Sequence, residues 1–162
     1  MVKALSEVIT DRCPACTYQM FAYNFNRTDA RHGNPFIYGE PVDGGGGAFP
    51  YDDGPSGIMF AGNGDAPNMS VEVVEANYPV LIRKYAINTE GAGAGKFRGG
   101  YGVIRDVEMR EDHISLQTSN ENTIYPPWGL FGGESAQPNS YVLFPGTDRE
   151  AVLTERITDY GP

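Results

Sequence analysis

The sequence predicts a mainly β domain with a few short helices, its sheets joined by long Gly/Pro-rich loops and forming part of a larger subunit assembly. Three observations carry that prediction. Short apolar stretches with strand-like alternation recur along the chain. Between them lie 21 glycines and 12 prolines in 162 residues, enough to set many fixed turns and long ordered loops. Hydrophobic residues make up 40% and aromatics 12%, which supplies a core and excludes wholesale disorder. Loops of this length stay ordered when something packs over them, and that points to the larger assembly. The length fits one domain, residues 1–162.

Element by element, residues 2–9 place Val2, Leu5, Val8 and Ile9 on one side of a short helix. Residues 17–26 suit a strand, and a second short strand follows at Phe36–Gly39. Pro41 to Asn68 has almost no periodic signal. It opens on Asp43-Gly-Gly-Gly-Gly-Ala48, a linker-like composition, yet Phe49, Tyr51, Ile58, Met59 and Phe60 need burial. The stretch is therefore expected to be an ordered excursion. Val71 to Tyr78 fits a helical turn or a strand equally well. Val80–Asn88 alternates as a strand. Gly102–Arg110 and Ile114–Ser119 are expected to form a hairpin around Glu111-Asp112-His113, with further strands at Tyr141–Phe144 and Val152–Ile157.

Net charge is −9, from 12 Lys+Arg against 21 Asp+Glu. A basic face able to neutralise phosphates is hard to assemble from that balance, so nucleic acid and anionic membrane surfaces are excluded as partners. No apolar run reaches the length of a spanning helix, and the amino terminus lacks a secretory pattern. A cytoplasmic protein is expected. Two cysteines do not make a disulfide framework, in keeping with a reducing compartment.

Cys13-Pro-Ala-Cys16 is the sharpest local pattern. A redox pair wants a helix after it, whereas Tyr18–Asn26 reads as extended; a zinc site wants two more ligands, and only His32 and His113 offer imidazoles. Two packed thiols are the preferred reading, and no metal is assigned, with Cys13 and Cys16 its candidates. Gly91 to Gly102 resembles a phosphate loop only superficially: Glu90 stands where its first glycine belongs, and Phe97 follows Lys96. Its glycines suit close backbone approach, with Arg98 as an anchored charge. Pro126-Pro-Trp-Gly-Leu-Phe-Gly-Gly133 is a stiff turn presenting Trp128. Asp52-Asp53 and Glu72/Glu75 are expected to be solvated or salt-bridged. From the residues alone the chain reads as an interaction or scaffold domain with no complete catalytic constellation.

Several stretches in order nevertheless resemble one family. They are Gly44 to Ala48 with Asp53-Gly54 and Ser56; Val71-Glu-Val-Val-Glu75 with Tyr78-Pro79; Gly93 to Gly102 with Arg105; and Pro126 to Gly133. Together they resemble the carboxyl-terminal third of the hydantoinase B/oxoprolinase family, whose relatives include the large subunits of acetone and acetophenone carboxylases. The resemblance runs from about Asp11 to Phe144. It implies a partner of the hydantoinase A type, an actin-like ATPase that activates a carbonyl or enol as a phosphate. The B-type subunit then completes amide hydrolysis or carboxylation, often at a divalent metal. The family's metal motif lies in its amino-terminal region, and nothing here matches it. On that basis no cofactor is expected in this chain, the complex using ATP with Mg and a divalent metal on other segments. The chain is expected to be a split-off subunit or a fragment.

Two positions depart from the family. Phe49 stands where an arginine is expected, and Glu121-Asn122 replaces an Asp-Arg pair. Arg98 and Arg105 match, and with Trp128 they are the substrate-or-interface candidates. Two functions compete with the multi-subunit amidohydrolase or carboxylase: a non-catalytic structural or regulatory homologue, and a small zinc or redox protein using Cys13 and Cys16.

Overall fold

The computed structural model describes residues 2–59, 64, 66–155 and 157. Along the chain run α1 (Val2–Leu5), β1 (Phe21–Arg27), a 3-10 turn (Ala30–His32), β2 (Phe36–Pro41) and α2 (Val71–Asn77). They are followed by β3 (Val80–Asn88), β4 (Gly102–Met109), β5 (Ser115–Asn120), β6 (Tyr141–Leu143) and β7 (Ala151–Leu153). Strands dominate and pair antiparallel. The fold is mainly β, as the sequence predicts. Among the described residues no helix is long and apolar enough to cross a membrane.

β1 is the centre of a three-stranded sheet in the order β2-β1-β5. Alternation puts Phe21, Tyr23, Phe25 and Arg27 on one face of β1. The register sets Phe25 between Tyr38 and Leu116, and Tyr23 between Glu40 and Thr118. These cross-strand rows form one wall of the core. β3 and β4 form a second sheet, and the short β6 and β7 a third. The core draws on all three: Tyr23, Tyr38 and Leu116 meet Val80 of β3, Val74 of α2, and partly buried Tyr141 and Leu143 of β6. Tyr38 stacks on Tyr78 with ring centroids 4.8 Å apart, and Phe21 on Tyr141 at 4.1 Å.

The ambiguous segment after Ser70 is helical. Val74 is fully buried, while the Glu75 carboxylate accepts the Ile82 N–H at 2.9 Å and ties α2 to β3. The excursion over 41–68 is ordered where it is described, by main-chain bonds set out below. Phe60 lies outside the described residues.

Three expectations need correction. Residues 102–109 and 115–120 are strands but not partners, because β4 pairs with β3 and β5 with β1. Glu111-Asp112-His113 is a crossover between sheets. Leu116 and Thr118 are buried against Phe25 and Tyr23, a pairing richer than adjacency in sequence provides. Secondly, the helix at the amino terminus ends at Leu5, and Val2, Leu5, Val8 and Ile9 are all 40% exposed or more. Among the described residues their apolar stripe finds no core. Thirdly, the last strand is shorter than expected, and Arg156 lies outside the described residues. Ile157 still accepts the Thr118 N–H at 2.8 Å, beside β5.

Candidate functional site

Four loops lie main chain against main chain. Gly46 N–H donates to the Pro55 carbonyl at 2.8 Å, and Gly100 N–H to the Gly46 carbonyl at 2.8 Å. Gly54 N–H donates to Arg98 at 2.8 Å, Gly57 to Tyr101 at 2.9 Å, and Glu134 to Ala94 at 2.8 Å. The segment around Cys13 joins them, with Ala15 N–H donating to Ala48 at 2.8 Å and Cys16 N–H to Trp128 at 3.1 Å. At Gly45, Gly47, Gly54 and Gly100 neighbouring backbone also occupies the place a Cβ would take. A Cβ on Gly100 would lie 1.9 Å from the Pro55 carbonyl oxygen and 2.8 Å from the Gly46 nitrogen. The lattice therefore excludes any side chain there.

Between this lattice and the strands opens a cavity of about 1700 Å³. Its wall includes Tyr23, Arg105, Phe49, Trp128, Cys13 and Cys16. That volume exceeds the roughly 300–1,000 Å³ of ordinary small-molecule sites. The space has room for more than a small substrate.

Arg105 is the buried charge of the site. It projects from β4 with its side chain 1% exposed, and its Nη2 lies 2.7 Å from Glu40 Oε2, itself on a side chain 4% exposed. The Glu40 carboxylate also accepts the Tyr38 hydroxyl at 2.7 Å and the Met69 N–H at 2.9 Å. Tyr38 and Tyr23 hydroxyls meet at 3.2 Å. Burial pushes the Tyr23 phenol up to about 12, and burial also raises Tyr38, so both stay neutral at ordinary pH. The Tyr85 ring lies over the guanidinium, its centroid 4.8 Å from Cζ. Tyr85 in turn donates its hydroxyl to Asp43 at 2.8 Å. Nε and Nη1 of Arg105 are buried with no acceptor among the described residues.

Of the other candidates, Trp128 lines the same cavity as Arg105, and Lys3 Nζ sits 5.3 Å from its ring. Arg98 does not line it. Its guanidinium packs 3.9 Å from the Tyr101 ring centroid, donates to the Gly99 carbonyl and lies 3.6 Å from Asp53. Cys13 and Cys16 are both free thiols; Cys16 donates to the Thr17 carbonyl at 3.3 Å. Among the described residues no group of three or more His, Cys, Asp or Glu side chains is placed to hold a metal ion. Of the paired acids, Asp53 is taken up by Arg98 and Glu75 by β3. At the departures from the family pattern, Phe49 stacks on Tyr51 at 5.7 Å, and Asn122 accepts the Gln19 N–H at 2.8 Å.

Sequence reasoning missed Glu40, Tyr38, Tyr23 and Tyr85 as partners of Arg105. The one local signal was Tyr38-Gly-Glu40 on a strand, where alternation places a carboxylate on the same face as a buried tyrosine. It also missed that His32 and His113 stack, with ring centroids 3.9 Å apart and planes 21° from parallel. Lone pairs in near-parallel rings do not converge on one ion, so the pair is a packing contact.

The family model for hydantoinase B/oxoprolinase matches residues 1–160. A 5-oxoprolinase of Pestalotiopsis fici is 37% identical over 109 residues, 66% of this chain and 8% of that protein. The putative B-type component of a D-/L-hydantoinase from a Pseudomonas strain is 25% identical over 154 residues, 94% of this chain and 25% of the relative. Among solved structures, nucleotide-free acetone carboxylase shares the fold with a TM-score of 0.62 at 18% identity, over 80% of this chain and 17% of that one. The chain thus spans a small part of the length of the relatives it matches. By the match along nearly its whole length, this chain belongs to the hydantoinase B/oxoprolinase family.

Proposed function

We propose that the chain is an accessory or split-off carboxyl-terminal subunit of an ATP-dependent hydantoinase/oxoprolinase-type or ketone carboxylase complex. In this reading it is not active alone. One observation carries it: the family match runs along residues 1–160, and the relatives matched include a 5-oxoprolinase and a hydantoinase component. The wide cavity fits the same reading, since a neighbouring polypeptide could fill part of it while Arg105 and Trp128 face what remains. The partners proposed are a hydantoinase A-type ATPase subunit and the amino-terminal, metal-bearing part of a B-type subunit. The substrate is a cyclic amide or a ketone. ATP with Mg and a divalent metal belong on those other segments, and two free cysteines suit a cytoplasmic setting.

A second reading has its own support. Arg98 spends its charge on Asp53 and Gly99 inside the chain, as a purely structural or regulatory homologue would. Affinity purification of the tagged chain from its native source, with its companions identified by mass spectrometry, tests the assembly. An ATPase of the A type and a metal-bearing B-type polypeptide at comparable stoichiometry support the proposal. A chain that purifies without either contradicts it.

A further inference from the structure

β4 meets the cavity with its edge. All eight of its residues, Gly102–Met109, border the space, whereas the nine residues of β3 lend only Arg83 and Asn88. A strand turning one face to a cavity lends alternate residues, as β1 does with Phe21, Tyr23 and Phe25. β4 pairs with β3 on one side alone. In an antiparallel pair every second residue turns its N–H and C=O to the partner, and the others turn theirs away. Those outward groups of β4 find no bonding partner among the described residues. Arg105 shows the same opening: its side chain is 1% exposed, yet the residue is only half-buried, so the surface that solvent reaches there is main chain. β6 also borders the space with all three of its residues, and β7 with none. Three residues are short for lasting pairing; eight are enough.

An open edge takes a strand, and the side chains around it select which. Val103 and Val107 point from β4 toward the core, while Asp106 and Glu108 are exposed on the other face. Glu108 is held by Arg83 of β3 at 2.6 Å. Asp106 stands across from Lys84 in the register but forms no ion pair with it. Around the cavity the carboxylates of Glu90, Asp106, Asp112 and Glu134 have neither ion pair nor hydrogen bond among the described residues, against two cations, Lys96 and Arg149, each lying over a ring. The space therefore favours a basic occupant. A second copy of this chain is disfavoured: edge-to-edge pairing sets β4 against β4 with like charges opposed, and each chain carries a net charge of −9.

We propose that the free edge of β4 is a docking site for one extended segment of a partner polypeptide, added as a further strand beside β4. Its inward side chains are apolar and lie beside Val103 and Val107; its outward ones include Lys or Arg beside Asp106. The site rests on the assembly reading and names the contact through which the partner holds this chain. It is read out on the isolated chain, so the two fail separately. Companions absent on purification leave the edge and its peptide binding in place, and an edge that takes no peptide leaves copurification untouched.

The test is amide hydrogen exchange of the isolated chain, resolved by NMR, with a capped peptide of about eight residues in which valine alternates with lysine and threonine. Without peptide, every second amide of β4 should exchange fast while those bonded to β3 stay protected. At saturating peptide the fast ones should slow by at least roughly tenfold. The same peptide with alternate backbone nitrogens methylated cannot complete the ladder and should give no protection. Asp106→Lys, a change at an exposed position, should weaken binding of the lysine peptide by about threefold. Four results would overturn the proposal: uniform protection of β4 before peptide is added, whether in a monomer or in a dimer seen by size exclusion; no added protection with the peptide; equal protection from the methylated peptide; or unchanged affinity in Asp106→Lys.

Discussion

The strand core and the glycine lattice solve the same packing problem by opposite means. In the core, side chains interlock and one buried ion pair, Glu40 with Arg105, joins β2 to β4. In the lattice, side chains are missing and carbonyls meet N–H groups directly, as between Gly46, Pro55 and Gly100. The core tolerates change in shape but not in charge. The lattice tolerates neither, because an added methyl meets backbone that has no rotamer to escape into. Substitutions in the two regions should therefore fail in different ways.

The largest effect belongs to the ion pair. Glu40→Ala or Arg105→Ala leaves its partner charged and buried, and each should destabilise the fold by about 3–5 kcal/mol. Replacing both together by apolar residues of similar volume should recover much of that loss. Urea denaturation of the single and double variants measures this directly, and a double variant no better than the singles would mean that packing, not charge, dominates the core. Next comes Gly100→Ala, expected to cost about 3 kcal/mol by forcing apart two loops. Its control lies two residues away. A Cβ on Gly102 meets nothing within 4 Å, so Gly102→Ala should change stability by no more than about 0.5 kcal/mol. Similar losses for the two would remove the lattice argument.

High pH separates the regions without mutation. Tyr23 is held from an ordinary value of 10.0 up to about 12 by burial. A raised folded value means that the stabilisation is complete below pH 10 and is lost as pH rises through about 12. The loss amounts to about 2–3 kcal/mol for a shift of this size. The part of the phenolate absorbance that a Tyr23→Phe variant lacks should then rise together with loss of the circular dichroism signal above pH 10, not before it. Phenolate forming at Tyr23 in a folded chain would contradict the burial. Apart from the Gly102 control, the smallest effect is expected at Arg98. Its side chain is 33% exposed, so Arg98→Ala should cost only about 0.5–1 kcal/mol by thermal melting.

The two regions were not equally legible in the sequence. Strands announced themselves wherever alternation was strong, as in Tyr23 to Arg27 and Val80 to Asn88, because burial of one sheet face leaves a period of two. Pairing was not legible: Leu116 belongs beside Phe25, some ninety residues earlier, and no local pattern records that. The lattice showed as glycine content, while the partner of each glycine did not. At the site, Arg105 and Trp128 stood out, through resemblance to the family and through a stiff turn. Glu40 did not, since a single carboxylate on a short strand looks the same whether it faces solvent or a guanidinium. The His32 and His113 stack was hidden for the same reason, its members lying on connections that only the tertiary fold brings together.

In the proposed reading this chain works as one part of a larger ATP-dependent enzyme. The direct measurement is ATP-dependent consumption of a cyclic amide or ketone by the purified native complex, before and after this chain is depleted, and again once it is restored. Turnover should fall on depletion and return on restoration, while the isolated chain shows neither turnover nor saturable ATP binding by calorimetry. Turnover that is unchanged by depletion, or that the chain sustains by itself, would contradict the claim.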